Sequence, residues 1–218
     1  MSLKETAEEQ RRKLQQIAED AREEFSRTHE AREHALRLSR EIIRNSANSI
    51  RATHRGEFER AREMIGAVTE LTDELGEALK DHSGVYFAGF VEDALKEYVE
   101  ANATLAFSEG SRLPEAKDLG VGPAPYLNGL AEAVGELRRF VLDSLRRDDF
   151  SRCEELLDLM DEVYTVLVSM DFPDAITRGL RRNTDMVRGV LERTRGDLTM
   201  ALRQKRLEEK MERLDPRG

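Results

Sequence analysis

The chain has 218 residues, about one and a half average domains, so one domain or one elongated bundle is expected. It is 39% apolar and 36% charged, against roughly 25% charge in an average domain, and it lacks the roughly 18 consecutive apolar residues of a spanning helix. No membrane partner is expected, the charged start from Lys4 lacks a signal-peptide core, and the expected location is the cytoplasm.

The first helical stretch runs from about Ser2 to Arg55 and opens with Leu3, Ala7, Gln10, Leu14, Ile17 and Ala21 in alternating steps of four and three, a short heptad seam. Gly56 ends it, and a second helix over about Glu57 to Lys80 places Phe58, Ala61, Ile65, Val68, Leu71, Leu75 and Leu79 on one face. After His82-Ser83-Gly84 a third helix, about Val85 to Phe107, carries Phe87, Phe90, Val91, Ala94, Tyr98, Ala101 and Leu105 at helical spacing. Ser108 to Pro125 is the main loop, in which Pro114 to Asp118 has the composition of one helical turn. Gly120-Val121-Gly122-Pro123 follows no strand, so it does not read as a phosphate-cradling loop.

A fourth helix over about Tyr126 to Arg147 has a seam of Leu127, Leu130, Val134, Leu137, Val141 and Leu145. Asp148-Asp149 suits the cap of a fifth helix ending near Met170, because acidic oxygens accept the free N–H groups of a first turn. Pro173 suits the start of a last helix that runs to about Arg213, where Asp215-Pro216 stops it. Six long helices without a strand pattern or repeat give an all-α, elongated helical bundle. The single cysteine, Cys153, has no internal disulfide partner and reads as a buried thiol.

Three groups of side chains bear on function. Glu97 and Glu100 lie three residues apart on the third helix; Glu97 falls about 20° from Phe90 at the edge of the apolar stripe, and Glu100 about 60° further out. Partial burial is therefore expected for Glu97. Two neighbouring carboxylates suit a hard divalent cation, Mg²⁺ or Mn²⁺, but on spacing alone an ordinary solvated acidic face fits as well and is commoner. Glu132 and Glu136 share a face of the fourth helix about 180° from its apolar seam, so a solvent face is expected unless another helix packs there; Gly129, Ala133 and Gly135 would allow such an approach.

The third group is basic. Net charge is −9, from 35 basic and 44 acidic residues, which leaves room only for a local site for nucleic acid. Arginine supplies 28 of those 35 residues, and its planar fork grips two phosphate oxygens at once, although base composition of a genome gives the same skew. Arg37, Arg40, Arg44, Arg51 and Arg55 fall within an arc of roughly 60°, bordering Leu36, Ile43, Ala47 and Ile50. Such a stripe fits a phosphate backbone with little base readout, or else a solvated face paired with Glu33 and Glu41. Arg181, Arg188 and Arg195 form a second basic line at seven-residue spacing. The four histidines are scattered, and no Gly-x-Ser-x-Gly element is present, so a histidine triad is not indicated.

Several segments, taken in order, resemble the translin superfamily: Leu38-Ser39-Arg40-Glu41-Ile42 leading to His54-Arg55, Glu97-Tyr98-Val99-Glu100-Ala101, and Tyr126-Leu127-Asn128-Gly129-Leu130-Ala131-Glu132 with Gly135-Glu136-Leu137. Gly179 to Asp185 and Arg195-Gly196-Asp197-Leu198 are also similar to that family's last helix, so the likeness covers roughly residues 25 to 200. The Glu-aromatic-Val-Glu-Ala element makes the chain look more like translin-associated factor X, the catalytic partner, and archaeal proteins of that type.

The resemblance implies a single translin-like domain over 1–218, with 1–24 a charged N-terminal helical extension and 200–218 a charged helix end. It further implies a hollow homo-oligomer, commonly of eight subunits, acting as a metal-dependent endoribonuclease on single-stranded RNA inside its cavity. Carried over residue by residue, catalysis and Mg²⁺ (or Mn²⁺) binding fall on Glu97, Glu100 and Glu132, with Glu136 supporting and the Arg37 to Arg55 stripe holding RNA. The family's catalytic partner usually has Asp where this chain has Glu132, which moves the carboxylate by about one methylene. The alternative is a translin-like oligomer that holds single-stranded RNA or DNA without cutting it.

Overall fold

The computed structural model describes residues 3–214, with side chains over 8–213. Within them the chain forms eight helices and no strand: α1 (Leu3–His54), α2 (Phe58–Leu79), α3 (Ser83–Tyr86), α4 (Gly89–Glu109), α5 (Pro123–Leu145), α6 (Cys153–Val168), α7 (Asp174–Thr177) and α8 (Leu180–Leu214). Six are long, as expected, and two are single turns. None is long and apolar enough to cross a membrane. The side chains of Leu3 and Ala7 and the Asp215-Pro216 stop lie outside the described residues, while Leu14 and Ile17 of the N-terminal seam are exposed.

Four local features differ from the expectation, each for a backbone reason. Ala88 is extended (ψ 144°), so the third helix is cut into α3 and α4 and Phe87 is left exposed at the break. Pro114 to Asp118 forms turns rather than a helical turn, closed by Asp118 N–H to Glu115 O (2.9 Å) and Glu115 N–H to the Asp118 carboxylate (3.0 Å). Asp149 spends its Oδ1 on the N–H and hydroxyl of Ser151 (3.0 and 2.6 Å), so it closes a turn ahead of α6 instead of capping it. Pro173 starts only the short α7: Arg178 (φ 53°) and Gly179 (φ 86°) both adopt the left-handed conformation and redirect the chain into α8. The Gly179 N–H is taken by Asp174 Oδ1 at 2.9 Å, which stabilises this corner.

Apart from a small cluster of Ala52, Ala61 and Leu105, two large apolar clusters build the core. One joins α1, α2 and α4 with Leu119 and Val121 of the main loop, around Ile42, Leu75, Val91 and Tyr98. The other joins α5, α6 and α8 with the end of α4, around Leu137, Leu156, Met160 and Leu191. Cys153 belongs to the second cluster as a free, buried thiol, and burial raises its pKa.

The main loop returns along the bundle so that α5 starts beside the N-terminal half of α4, and the two helices meet where the clusters join. Gly129 makes that meeting possible. A Cβ there would sit 2.7 Å from both the Lys96 carbonyl oxygen and Val99 Cβ, closer than atoms pack. Gly135, by contrast, has open space around it and plays no such part.

The α1 face that packs against its neighbours is smaller and more polar than expected. Ala35, Leu38, Ser39, Ile42, Ser46, Ser49, Ile50 and Thr53 are buried, whereas Leu36, Ile43 and Ala47 are only partly so. Small side chains let α1 lie close to the α2–α4 layer, and α4 is consequently buried on nearly all sides from Tyr98 onward.

Candidate metal centre

Close packing of α4 on α5 brings Glu97, Glu100 and Glu132 together: one carboxylate oxygen from each lies within 4.8 Å of the others. The structure therefore brings Glu132 of the second acidic pair to Glu97 and Glu100 of the first, across a long separation in sequence. Glu97 is partly buried as expected, but Glu100, expected further out, is the more deeply buried of the two. Glu100 is only 8% exposed, because α4 is enclosed by helices on several sides and a single apolar stripe does not mark its interior. Glu132 is half-buried rather than solvated, since α4 packs against the face opposite its apolar seam.

The electrostatics follow from that crowding. Burial, then the charges of Glu97, Glu132 and Glu136, push the Glu100 carboxyl up to about 8. Glu97 is raised as well, first by burial and then by Glu132. Glu136 goes the other way: its hydrogen bond from His54 holds it below the ordinary carboxylate range. Lys96 Nζ donates to Glu132 Oε1 at 2.8 Å; burial opposes its charge, but Glu132, Glu97 and Asp93 outweigh this and raise its pKa. Three converging carboxylates form an all-oxygen donor set that suits a hard divalent cation, and such a cation would relieve the repulsion that burial intensifies.

Glu132 also forms one wall of a cleft of about 620 Å³ between α4, α5 and the α7–α8 corner. Lys96, Arg178 and Arg182 supply cations to it, and Glu92 and Asp93 supply carboxylates; Arg178 Nε lies 3.2 Å from Glu92. Beneath it Asn128 is buried, donating to the carbonyls of Ala124 and Thr177 and accepting from Asn183.

Along α1, Arg37, Arg40, Arg44, Arg51 and Arg55 are all exposed. Arg37, Arg40 and Arg44 make no ion pair among the described residues, and Glu33 pairs with Arg32 instead. Arg51 donates to Asn48 (2.7 Å), while Arg55 is held by both oxygens of Glu57 (2.7 and 3.1 Å). On the second basic line, Arg195 is paired with Glu192 and Asp161.

Lys96 and Arg178 did not stand out in sequence, and His54 and Arg182 stood there only within family-like segments, without a role of their own. Lys96 meets Glu132 across 36 positions, a pairing with no local signal. His54 had one: it lies four residues after the buried Ile50, so helical arithmetic turns it inward.

Known proteins share this fold. The chain is 36% identical to AfC3PO, whose structures, alone and in complex with duplex RNA, superpose with TM-scores of 0.79 and 0.80; 85% of this chain and 96% of that one are covered. Apo-NeC3PO, 22% identical with a TM-score of 0.76, shares the fold. An uncharacterized protein of Methanocaldococcus jannaschii is 30% identical over 184 residues, 84% of this chain and 82% of that protein. The model of the Translin family matches residues 2–194, and the chain belongs to that family.

Proposed function

We propose that the chain is an RNA-binding, oligomer-forming member of the family of the translin-associated factor X type, and that it cleaves single-stranded RNA with a divalent cation. The observation that carries this reading is the convergence of Glu97, Glu100 and Glu132 in a partly buried, acid-crowded site beside a cleft. RNA binding is carried over from AfC3PO, the 36% identical relative whose complex holds duplex RNA.

In this reading the three carboxylates hold Mg²⁺ or Mn²⁺, which when bound supplies charge stabilisation to phosphoryl oxygens and acidifies water. Glu136, kept ionised by His54, orients water at the edge of the site. Lys96, at the wall of the cleft, fixes Glu132 and places an ammonium near the phosphate undergoing attack. The exposed arginines of α1, with Arg182 at the cleft, bind the RNA backbone through phosphates, which gives salt-dependent affinity and broad sequence tolerance. A net-negative subunit accommodates this if the basic stripe faces the cavity of an oligomer, an octamer in the expected assembly.

The test is cleavage of an end-labelled single-stranded RNA by purified protein in Mg²⁺ and in EDTA, with Glu97→Ala in a preparation of matched oligomer size. Cutting that needs the cation and disappears in the variant supports the nuclease. Binding of single-stranded RNA or DNA without cutting supports the alternative, a non-catalytic binding oligomer. One contact favours that alternative: Lys96 already neutralises Glu132, whose longer side chain replaces the usual Asp.

A further inference from the structure

The reading above uses one buried group only for its effect on the charge of Glu136. His54 is the last residue of α1, its side chain is only 4% exposed, and its Nε2 donates to Glu136 Oε2, a bond that reaches from α1 to α5. Its other ring nitrogen, Nδ1, is buried with no hydrogen-bond partner among the described residues. What the placement achieves is control of Glu136. That carboxylate has Arg139 Nη1 3.8 Å from the oxygen His54 holds, and its second oxygen has no hydrogen-bond partner among the described residues. Glu136 lies one helical turn after Glu132 on the same face of α5, next to the carboxylate site, and its charge adds to the effects that raise Glu97 and Glu100.

We infer that His54 is a positioning residue of the carboxylate site: by holding one oxygen of Glu136, it fixes the other toward the cation and its water beside Glu97, Glu100 and Glu132. The inference rests on the metal-binding part of the proposed function. It differs from a simple latch between α1 and α5, because a latch needs only that the helices stay together, whereas positioning needs a donor at the Nε2 position. Outer groups of this kind, which orient what a metal binds without touching it, govern affinity strongly when removed.

The molecule supplies a control. His34 Nε2 lies 3.0 Å from Glu74 Oε1 in a similar pair, but this pair is exposed and sits where α1 meets α2. The same substitution there alters a histidine–glutamate contact with no carboxylate cluster behind it.

The experiment is calorimetric titration of Mn²⁺ into the full-length oligomer, with melting temperature and oligomer size measured on each variant. His54→Leu, which keeps bulk and removes the donor, should weaken Mn²⁺ binding by roughly 10- to 100-fold. His54→Gln, whose amide reaches the Nε2 position, should restore most of that affinity, and His34→Leu should leave it unchanged. Glu136→Gln should weaken binding as His54→Leu does, and combining the two should add little, because both remove one coupled unit.

Wild-type affinity in His54→Leu with a lowered melting temperature would overturn the inference and leave a latch. Wild-type affinity in the nearly isosteric Glu136→Gln would overturn it even if His54→Leu fails to fold. A wild-type protein that binds no Mn²⁺ would remove the metal-binding reading itself, an outcome distinct from either.

Discussion

The arginine stripe of α1 and the carboxylate cluster between α4 and α5 are both charged regions, yet they are built in opposite ways. The stripe is one helix long, exposed and set by periodicity alone; its members act nearly independently. The cluster is assembled from two helices and lies where two apolar cores meet, and its burial and crowded charges raise the pKa of Glu97 and Glu100. Single substitutions should therefore have small, additive effects on the stripe and large, coupled effects in the cluster.

The largest effect is expected at Glu100. Glu100→Ala removes a buried carboxylate from the donor set and should abolish cation-dependent RNA cleavage in a labelled-RNA assay while the oligomer persists. Next is Gly129, which has no charge at all. Gly129→Ala inserts a methyl group against the Lys96 carbonyl and Val99, so α4 and α5 must separate. A loss of about 1–3 kcal/mol in urea unfolding, with weaker Mn²⁺ binding, is expected from overpacking of this kind.

A smaller effect concerns pH. Without a cation the folded chain keeps a proton on Glu100 up to about pH 8, whereas the unfolded chain releases it near the ordinary value of 4.5. Folding thus takes up a proton across that window, and stability falls as pH rises from about 4.5 to 8. Denaturant titrations in EDTA should show this decline, and Glu100→Gln should flatten it.

The stripe gives the smallest effects per residue. Replacing Arg37, Arg40 and Arg44 by Ala should leave Mn²⁺ binding intact and lower the slope of log affinity for single-stranded RNA against log salt by about 2. Arg55→Ala should cost less affinity than Arg44→Ala, because the Nε–Nη2 edge of the Arg55 guanidinium is already taken by the Glu57 carboxylate. Equal losses at the two positions would mean that RNA displaces Glu57.

The same contrast explains what was legible in the sequence. The stripe could be read directly, because exposure on one helix is a matter of angle. The helical bundle and the seams of α2 and α5 were likewise legible from apolar spacing, and Val68, Leu75, Leu79, Val134, Leu137 and Val141 are buried as that spacing requires. The cluster was reached through family resemblance. Spacing alone gave only two acidic pairs, since the contact that joins them depends on Gly129 allowing close approach. For Glu100, helical arithmetic pointed outward because it assumes one buried face, and α4 has several. Lys96 was hidden for a related reason: its partner lies on another helix. The corner at Arg178 was hidden because a left-handed arginine has no compositional signature.

The central claim is that Glu97, Glu100 and Glu132 form one cation site, and Mn²⁺ binding measured by electron paramagnetic resonance tests it most directly. The account predicts one bound Mn²⁺ per subunit in the wild-type oligomer and loss of that binding in Glu97→Gln, with oligomer size and salt-dependent RNA affinity retained. A wild-type oligomer that binds no Mn²⁺, or a Glu97→Gln oligomer that binds it undiminished, would contradict the account.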